Sequence, residues 1–335
     1  MTLPTLQGAD YRAERRKVEG GEVIRLADET RQMEALIAPS MGNNAYQLKV
    51  RGQNVLWAPF ATLSEWKAKP AMAGNPLLAP WANRIDQLAF FVEGKKYLLN
   101  PELRNFRLDG TGKPIHGLLV YASEWKVTTL SADEKGAQLT SRLEYWRQAD
   151  WMAQFPFPHE IEMTYRLHDG VLEVATVVEN AGTQMMPLSL GYHTYYQVPD
   201  APRDQWKVHI PARDQIVLSK DLVPTGETRP NPFPNPVPLA GTQLDDVFGN
   251  LTRGADGRAV FRVEGARQQI AVEFGPRYSV GVVYAPRGRN FLCFEPMTGP
   301  TNAFNLAHQG LYKELQTIPA GGRWSESFWI RPSGF

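Results

Sequence analysis

The chain has 335 residues, 43% hydrophobic and 21% charged, a make-up that excludes a disordered or fibrous protein and implies a sizeable core. Its 36 Lys and Arg are interspersed with 35 Asp and Glu, so it carries no electrostatic footprint for nucleic acid or an anionic membrane, and a neutral or small ligand is expected. Cys293 is the only cysteine, which excludes an internal disulfide framework and any metal site built on paired thiolates.

In chain order, the opening "MTLPTLQGADYRAERRKVEGG" lacks the apolar core of a secretory signal, and no stretch approaches the roughly 20 apolar residues that span a bilayer. A cytoplasmic location is expected, which leaves the "NLT" sequon at Asn250 idle. Residues 1–20 read as a peripheral segment of one domain covering 1–335. "DETRQMEALI" (28–37) reads equally as a turn or two of helix or as loop and strand. "LEVATVV" (172–178), "QIAVEF" (269–274), "YSVGVVY" (278–284) and "NFLCFE" (290–295) predict strands, being short, rich in β-branched and aromatic residues and bounded by turn formers. In "QIAVEF", Ile270, Val272 and Phe274 fall on one face and Gln269, Ala271 and Glu273 on the other. "ENAGT" (179–183) and "GPR" (275–277) read as reversals, and "NAFNLAHQG" (302–310) as a short helix. "VPTGETRPNPFPNPVPLAG" (223–241) holds six prolines and reads as an extended surface connection outside any ladder. Strand-like sequence on both sides of it favours one large all-β sandwich over two domains.

Nucleotide and nucleophile motifs are poorly supported. In "DGTGKP" (109–114), Pro114 stands where a phosphate loop needs a hydroxyl for magnesium, and no G-x-G-x-x-G follows a strand. No G-x-S-x-G elbow occurs, and Cys293 alternates with Phe291 inside an apolar strand, as a core residue does.

Four segments place polar groups in apolar settings: "APWANRID" with Arg84, "PIHGLL" with His116, "LGYHTYY" with His193 and "LCFEPMTGPTNAFN" with Glu295. Glu295 shares a strand face with Phe291 and Cys293, so its carboxylate needs a partner or a raised pKa. One reading is a structural ion pair with Arg84. For His116 and His193 the competing reading is a hydrogen-bonded histidine near the core. Two histidines and a carboxylate could also hold a metal, but H-E-x-x-H and H-x-H spacings are absent and the candidates are scattered, so no metal or cofactor is expected.

In this order the four segments resemble the aldose 1-epimerase (galactose mutarotase) family, whose signatures are an "NRI" arginine, an "HG" histidine, a "GxHxYF"-like histidine and an "EPxTxPxNAFN"-like glutamate. "LDDVFGNL" (244–251) resembles the family's aspartate segment and "VVENAGTQMMPLSLGYHTYY" its central strand pair, so the match runs over about 35–332. The resemblance implies a single antiparallel β-sandwich of supersandwich type, an isomerase without cofactor, and a monosaccharide in a cleft on one sheet. It implies His193 as general acid and Glu295 as general base, His116 near the sugar ring oxygen, and Arg84 and Asp245 on hydroxyls, with Asp246 as the alternative aspartate. Trp81 and Tyr195 are open between sugar face and core. Many members carry Gly-Arg where this chain has Ala79 and Pro80, and Asn where it has Tyr192, which bears on which sugar is used. A branch that uses hexose 6-phosphates would need added cations, for which Arg104 and Arg107 are available. A carbohydrate-binding protein on the same scaffold would not need both proton carriers.

Overall fold

The period-two pattern of "QIAVEF" is realised in space, with Ile270, Val272 and Phe274 buried and the residues between them half-buried. The computed structural model describes residues 10–335 and consists mainly of such antiparallel strands. A nine-stranded sheet has the spatial order Lys126–Asp133, Gly136–Glu144, His159–His168, Val171–Asn180, Arg323–Ser333, Gln269–Phe274, Ala259–Glu264, Lys207–His209, Val237–Pro238. An eight-stranded sheet runs Pro224–Pro230, Ala212–Leu218, Leu244–Leu251, Val280–Ala285, Leu292–Met297, Gly191–Tyr192, Leu77–Leu78, with Thr194–Tyr196 also paired to Leu292–Met297. A five-stranded sheet is built from consecutive strands between Tyr11 and Asn54.

The two large sheets bury a shared apolar layer. Phe261 of the nine-stranded sheet lies 5.6 Å from Phe294 of the other, and Phe328 lies 4.9 Å from Tyr192, centroid to centroid. Each aromatic ring taken fully out of water contributes on the order of 1.5–3 kcal/mol, so this layer is the main adhesive between the sheets. The sheets approach closely at Gly281, because a Cβ there would sit 2.3 Å from Phe261 Cζ. One face of the eight-stranded sheet is thereby committed to the core, and its opposite face is left for a site.

One open reading is decided and one expectation is corrected. The 28–37 segment makes no helix; it turns and becomes the Met33–Ala38 strand, because Met33, Ala35 and Ile37 alternate inward between two partner strands. The proline-rich stretch is not wholly outside the ladder, since Pro224–Pro230 pairs with Ala212–Leu218. Its prolines stand at the two ends, and the strand is an edge, where a missing N–H costs no second partner. The short helix after residue 302 is present as Ala303–His308. Of the N-terminal segment, residues 1–9 lie outside the described residues, and Tyr11–Val18 is an edge strand paired along its length with Gly21–Asp28. Among the described residues no helix is long and apolar enough to cross a membrane.

Candidate active site

Strand register brings the central pair together. Leu292–Met297 pairs with Gly191 through Met297, and with Thr194, Tyr195 and Tyr196 through Phe294, Cys293 and Leu292. The register is the same on both sides of the break, which sets His193 opposite Glu295. Their side chains meet, His193 Nε2 lying 3.3 Å from Glu295 Oε1, and both are buried. Tyr195, two positions on and on the same face, stacks on the His193 ring at 4.8 Å.

Arg84 and His116 are held by a zipper between their two segments. His116 N–H donates to Asn83 O, Ile85 N–H to Pro114 O, and Arg84 pairs with Ile115. His116 has a left-handed backbone (φ 67°), and so does Gly117 (φ 65°). A Cβ on Gly117 would lie 2.2 Å from Ala79 O, so only glycine lets the histidine loop close on the arginine segment. Asn302 N–H donates to Arg84 O, tying in the loop that follows Glu295. The His116 and His193 rings meet edge to face at 5.3 Å.

Asp245 comes from Leu244–Leu251, where it pairs with Tyr284, which pairs in turn with Cys293. That register puts Asp245 and Glu295 on one sheet face. Arg84, His116, His193, Asp245 and Glu295 all line one cavity of about 560 Å³, together with Arg107, Tyr195 and Tyr284. Asp246 points to the opposite face and accepts from Gln215 Nε2 at 2.5 Å, so of the two aspartates it is Asp245 that lines the cavity.

The polar atoms in this cavity are under-satisfied. His116 Nδ1, His193 Nδ1 and Glu295 Oε2 are buried with no partner among the described residues. Each such atom costs about 1–3 kcal/mol unless something supplies its hydrogen bond. Three of them at one place concentrate unmet hydrogen-bonding capacity beside the cavity. The alternative of satisfied core histidines does not describe these rings. Nor is Glu295 paired with Arg84, whose Nε donates instead to Asp109 Oδ2 at 2.6 Å.

Burial sets the protonation of the pair. It pushes His193 down to about 3, an effect strengthened by the positive charges of Arg107 and Arg84. It pushes Glu295 well above the carboxylate range, with Asp245 adding and Arg84 opposing. His116 is likewise driven well below the ordinary histidine value by burial, with His193, Arg107 and Arg84 acting in the same sense. Both shifts favour the neutral forms, a protonated Glu295 beside an unprotonated His193 ring. The raised Glu295 is one of the two outcomes that a carboxylate on an apolar strand face allows, and the common cause is that burial penalises the charged form of each group. Asp245 is raised by burial, with Arg84 opposing.

An aldose 1-epimerase family model matches residues 22–331. The chain belongs to the aldose 1-epimerase family. The fold agrees: a galactose mutarotase-like protein of Clostridium acetobutylicum is 23% identical with a TM-score of 0.85, over 97% of this chain and 99% of that one. The galactose 1-epimerase of Lactobacillus acidophilus is 13% identical with a TM-score of 0.71, over 97% and 98%. A GalM/aldose epimerase homologue of Caenorhabditis elegans is 17% identical with a TM-score of 0.70, over 91% and 96%.

The places where this member of the aldose 1-epimerase family departs from the common pattern lie off the cavity. Tyr192 faces the inter-sheet core, its hydroxyl 2.5 Å from Thr176 Oγ1. Ala79 is buried beneath the histidine loop, its carbonyl accepting from Leu118 and Leu119 N–H, and neither it nor Pro80 lines the cavity. Trp81 is core, packed edge-on to Phe106, whereas Tyr195 lines the cavity. Two further residues at the site, Asp109 and Tyr284, have no place in the sequence reading, whereas Arg107 is one of the two cations it offers. Asp109 orients Arg84; although burial opposes it, donors from Lys113 N–H, Arg84 and Thr111 hold its carboxyl well below the usual range. Its signal in the sequence is the Asp-Gly-Thr-Gly turn, in which Oδ1 accepts from Thr111 and Lys113 N–H. Tyr284 shares the face of Val282 by alternation, and Arg107 reaches the rim from the Arg107–Leu108 strand. Arg104 belongs instead to a neighbouring cavity of about 340 Å³, to which Arg107 also contributes. Cys293 is fully buried, as expected, but its Sγ lies within 4.8 Å of donor atoms of His193 and Glu295.

Proposed function

We propose that this protein is an isomerase that interconverts the α and β anomers of a free aldose by general acid–base ring opening and closure. The observation that carries the reading is the direct approach of His193 Nε2 and Glu295 Oε1, at 3.3 Å, inside a polar cavity. Opening a hemiacetal takes the proton from the C1 hydroxyl, breaks the C1–O5 bond with its electrons going to O5, and puts a proton on O5. Both oxygens are bonded to C1, so acid and base must converge on neighbouring atoms, and a contacting pair does so. Passage of the shared proton from Glu295 to His193 gives the carboxylate that takes the C1 proton and the imidazolium that serves O5. Rotation about C1–C2 and reversal of the steps closes the other anomer with the proton count restored.

The remaining residues position the sugar. Arg84, held through Nε by Asp109, and Asp245 address hydroxyls, and His116, kept neutral by burial, offers one N–H or one lone pair near the ring oxygen. The aromatic face of Tyr195 lies against the ring. A protein that only bound sugar would gain nothing from burying two titratable groups in contact, since each is costly to desolvate.

One observation favours a second reading, in which the substrate carries a phosphate: Arg107 lines the cavity with its side chain exposed at the rim. Polarimetry on freshly dissolved α-D-glucose, α-D-galactose and glucose 6-phosphate separates the two. A free-sugar epimerase accelerates the drift for at least one unmodified aldose, with Arg107→Ala changing that rate less than about threefold. A preference for the 6-phosphate lost in Arg107→Ala would establish the second reading, and no acceleration for any of them would refute both.

A further inference from the structure

Cys293 is the nucleophilic side chain at this site that the proposed reaction leaves unused, and it is the only thiol in the chain. Its register fixes its direction, since it pairs with Tyr195 on one side and Tyr284 on the other, two positions before Glu295 on the same face. Its Sγ, a ring nitrogen of His193 and a carboxylate oxygen of Glu295 all lie within 4.8 Å of one another, and all three residues are buried. Glu295 Oε2 has no partner among the described residues, so the cluster has donor capacity that the protein leaves unused. A thiolate, an imidazole and a carboxylate are the donor types of a tetrahedral zinc centre, with a fourth position left to an outside ligand. In a tetrahedral shell with bond lengths of about 2.0–2.3 Å, donors lie about 3.3–3.6 Å apart; His193 Nε2 and Glu295 Oε1 already meet that spacing at 3.3 Å, and the widest gap in the cluster has to close by a little over about 1 Å through side-chain rotation.

We propose that His193, Cys293 and Glu295 form a binding site for a thiophilic divalent cation, Zn²⁺ or the larger Cd²⁺, and that its occupation switches the protein off by engaging both proton carriers. The thiol proton and the proton shared by His193 and Glu295 pass to solvent, because these ligands bind metal in their deprotonated forms. The site competes with the sugar rather than assisting it: the cation holds the two atoms that must address C1 and O5. The inhibitory half rests on the acid–base reading of His193 and Glu295, and the binding half does not.

The test uses the full chain titrated with Cd²⁺, read by the ultraviolet charge-transfer band of a cadmium-bound thiolate. With a single thiol present, that band reports this site alone. One equivalent is expected to saturate it; Cys293→Ser abolishes it, and Glu295→Gln and His193→Ala each weaken binding by at least about tenfold. No band, or a band of unchanged affinity in both Glu295→Gln and His193→Ala, would overturn the site, the latter marking a lone thiol. X-ray absorption on the Zn²⁺-loaded natural chain needs no variant. One sulfur at about 2.3 Å with nitrogen and oxygen at about 2.0 Å is expected, and a shell without sulfur would overturn the site. Polarimetric rate falling in step with Zn²⁺ occupancy supports inhibition, and full activity at full occupancy refutes it. If the chain has no epimerase activity, the binding results still decide the site.

Discussion

His193→Ala and Glu295→Gln are each expected to lower kcat/KM for anomer interconversion by about 10²–10⁴-fold, the span covered by a single positioned acid or base. The two losses should not multiply in the double variant, because the residues act as one proton-carrying unit. Both variants should keep the far-ultraviolet circular dichroism of the natural chain, since neither side chain belongs to the inter-sheet core. Glu295→Gln should raise the melting temperature at pH 7 by on the order of 2 °C. Burial raises the folded-state pKa of Glu295 above the ordinary 4.5. The stability this group contributes is therefore complete below 4.5 and is lost as pH rises toward the folded-state value. A neutral isostere escapes that loss. An unfolded Glu295→Gln chain would show instead that the carboxyl is a structural element.

The pH profile is expected to separate this pair from an ordinary exposed histidine. With His193 pushed down to about 3, kcat/KM should stay level from neutrality to below pH 5 and bend only near pH 3, the limit at which the pair takes a second proton. An acid limb near the ordinary value of about 6.5 would mean that the imidazole is hydrated and titrates alone. Stability follows a different course. Below about 6.5 the unfolded chain protonates this histidine while the folded chain does not, so stability is lost progressively as pH falls from there toward 3. His193→Gln should flatten that part of the stability curve, measured by denaturant titration at several pH values.

Local pattern accounts for much of the architecture. Alternation alone places Ile270, Val272 and Phe274 inward, and the "NAFNLAHQG" stretch gives the Ala303–His308 helix. Where one pattern fits two periods, neighbours decide: Met33, Ala35 and Ile37 satisfy a strand only because partners lie on both sides. The Leu63–Ala68 helix had a readable signal in Thr62 and Glu65, which form a reciprocal capping box. The composition of the proline-rich stretch does not reveal that Pro224–Pro230 and Val237–Pro238 both pair, each at the edge of a sheet.

The site divides along the same line. Glu295 is visible as a carboxylate on an apolar strand face, and His193 as a histidine among hydroxyl-bearing residues. That they lie opposite each other depends on the pairing of strands about a hundred positions apart, which no local signal carries. The Asp-Gly-Thr-Gly turn carries no local sign of what the Asp109 carboxylate holds. Its hold on Arg84 is a tertiary contact across 25 positions. The low value of His193 has no local signal, because the burial that causes it is a property of the assembled fold.

The most direct measurement is a crystal structure of the natural chain soaked with the aldose that it epimerises fastest. The account predicts C1 beside the His193–Glu295 pair, with the anomeric oxygen within about 2.6–3.2 Å of one member, the ring oxygen equally close to the other, and Arg84 and Asp245 on ring hydroxyls. A sugar bound with C1 turned away from both side chains, or held outside this cavity, would contradict it.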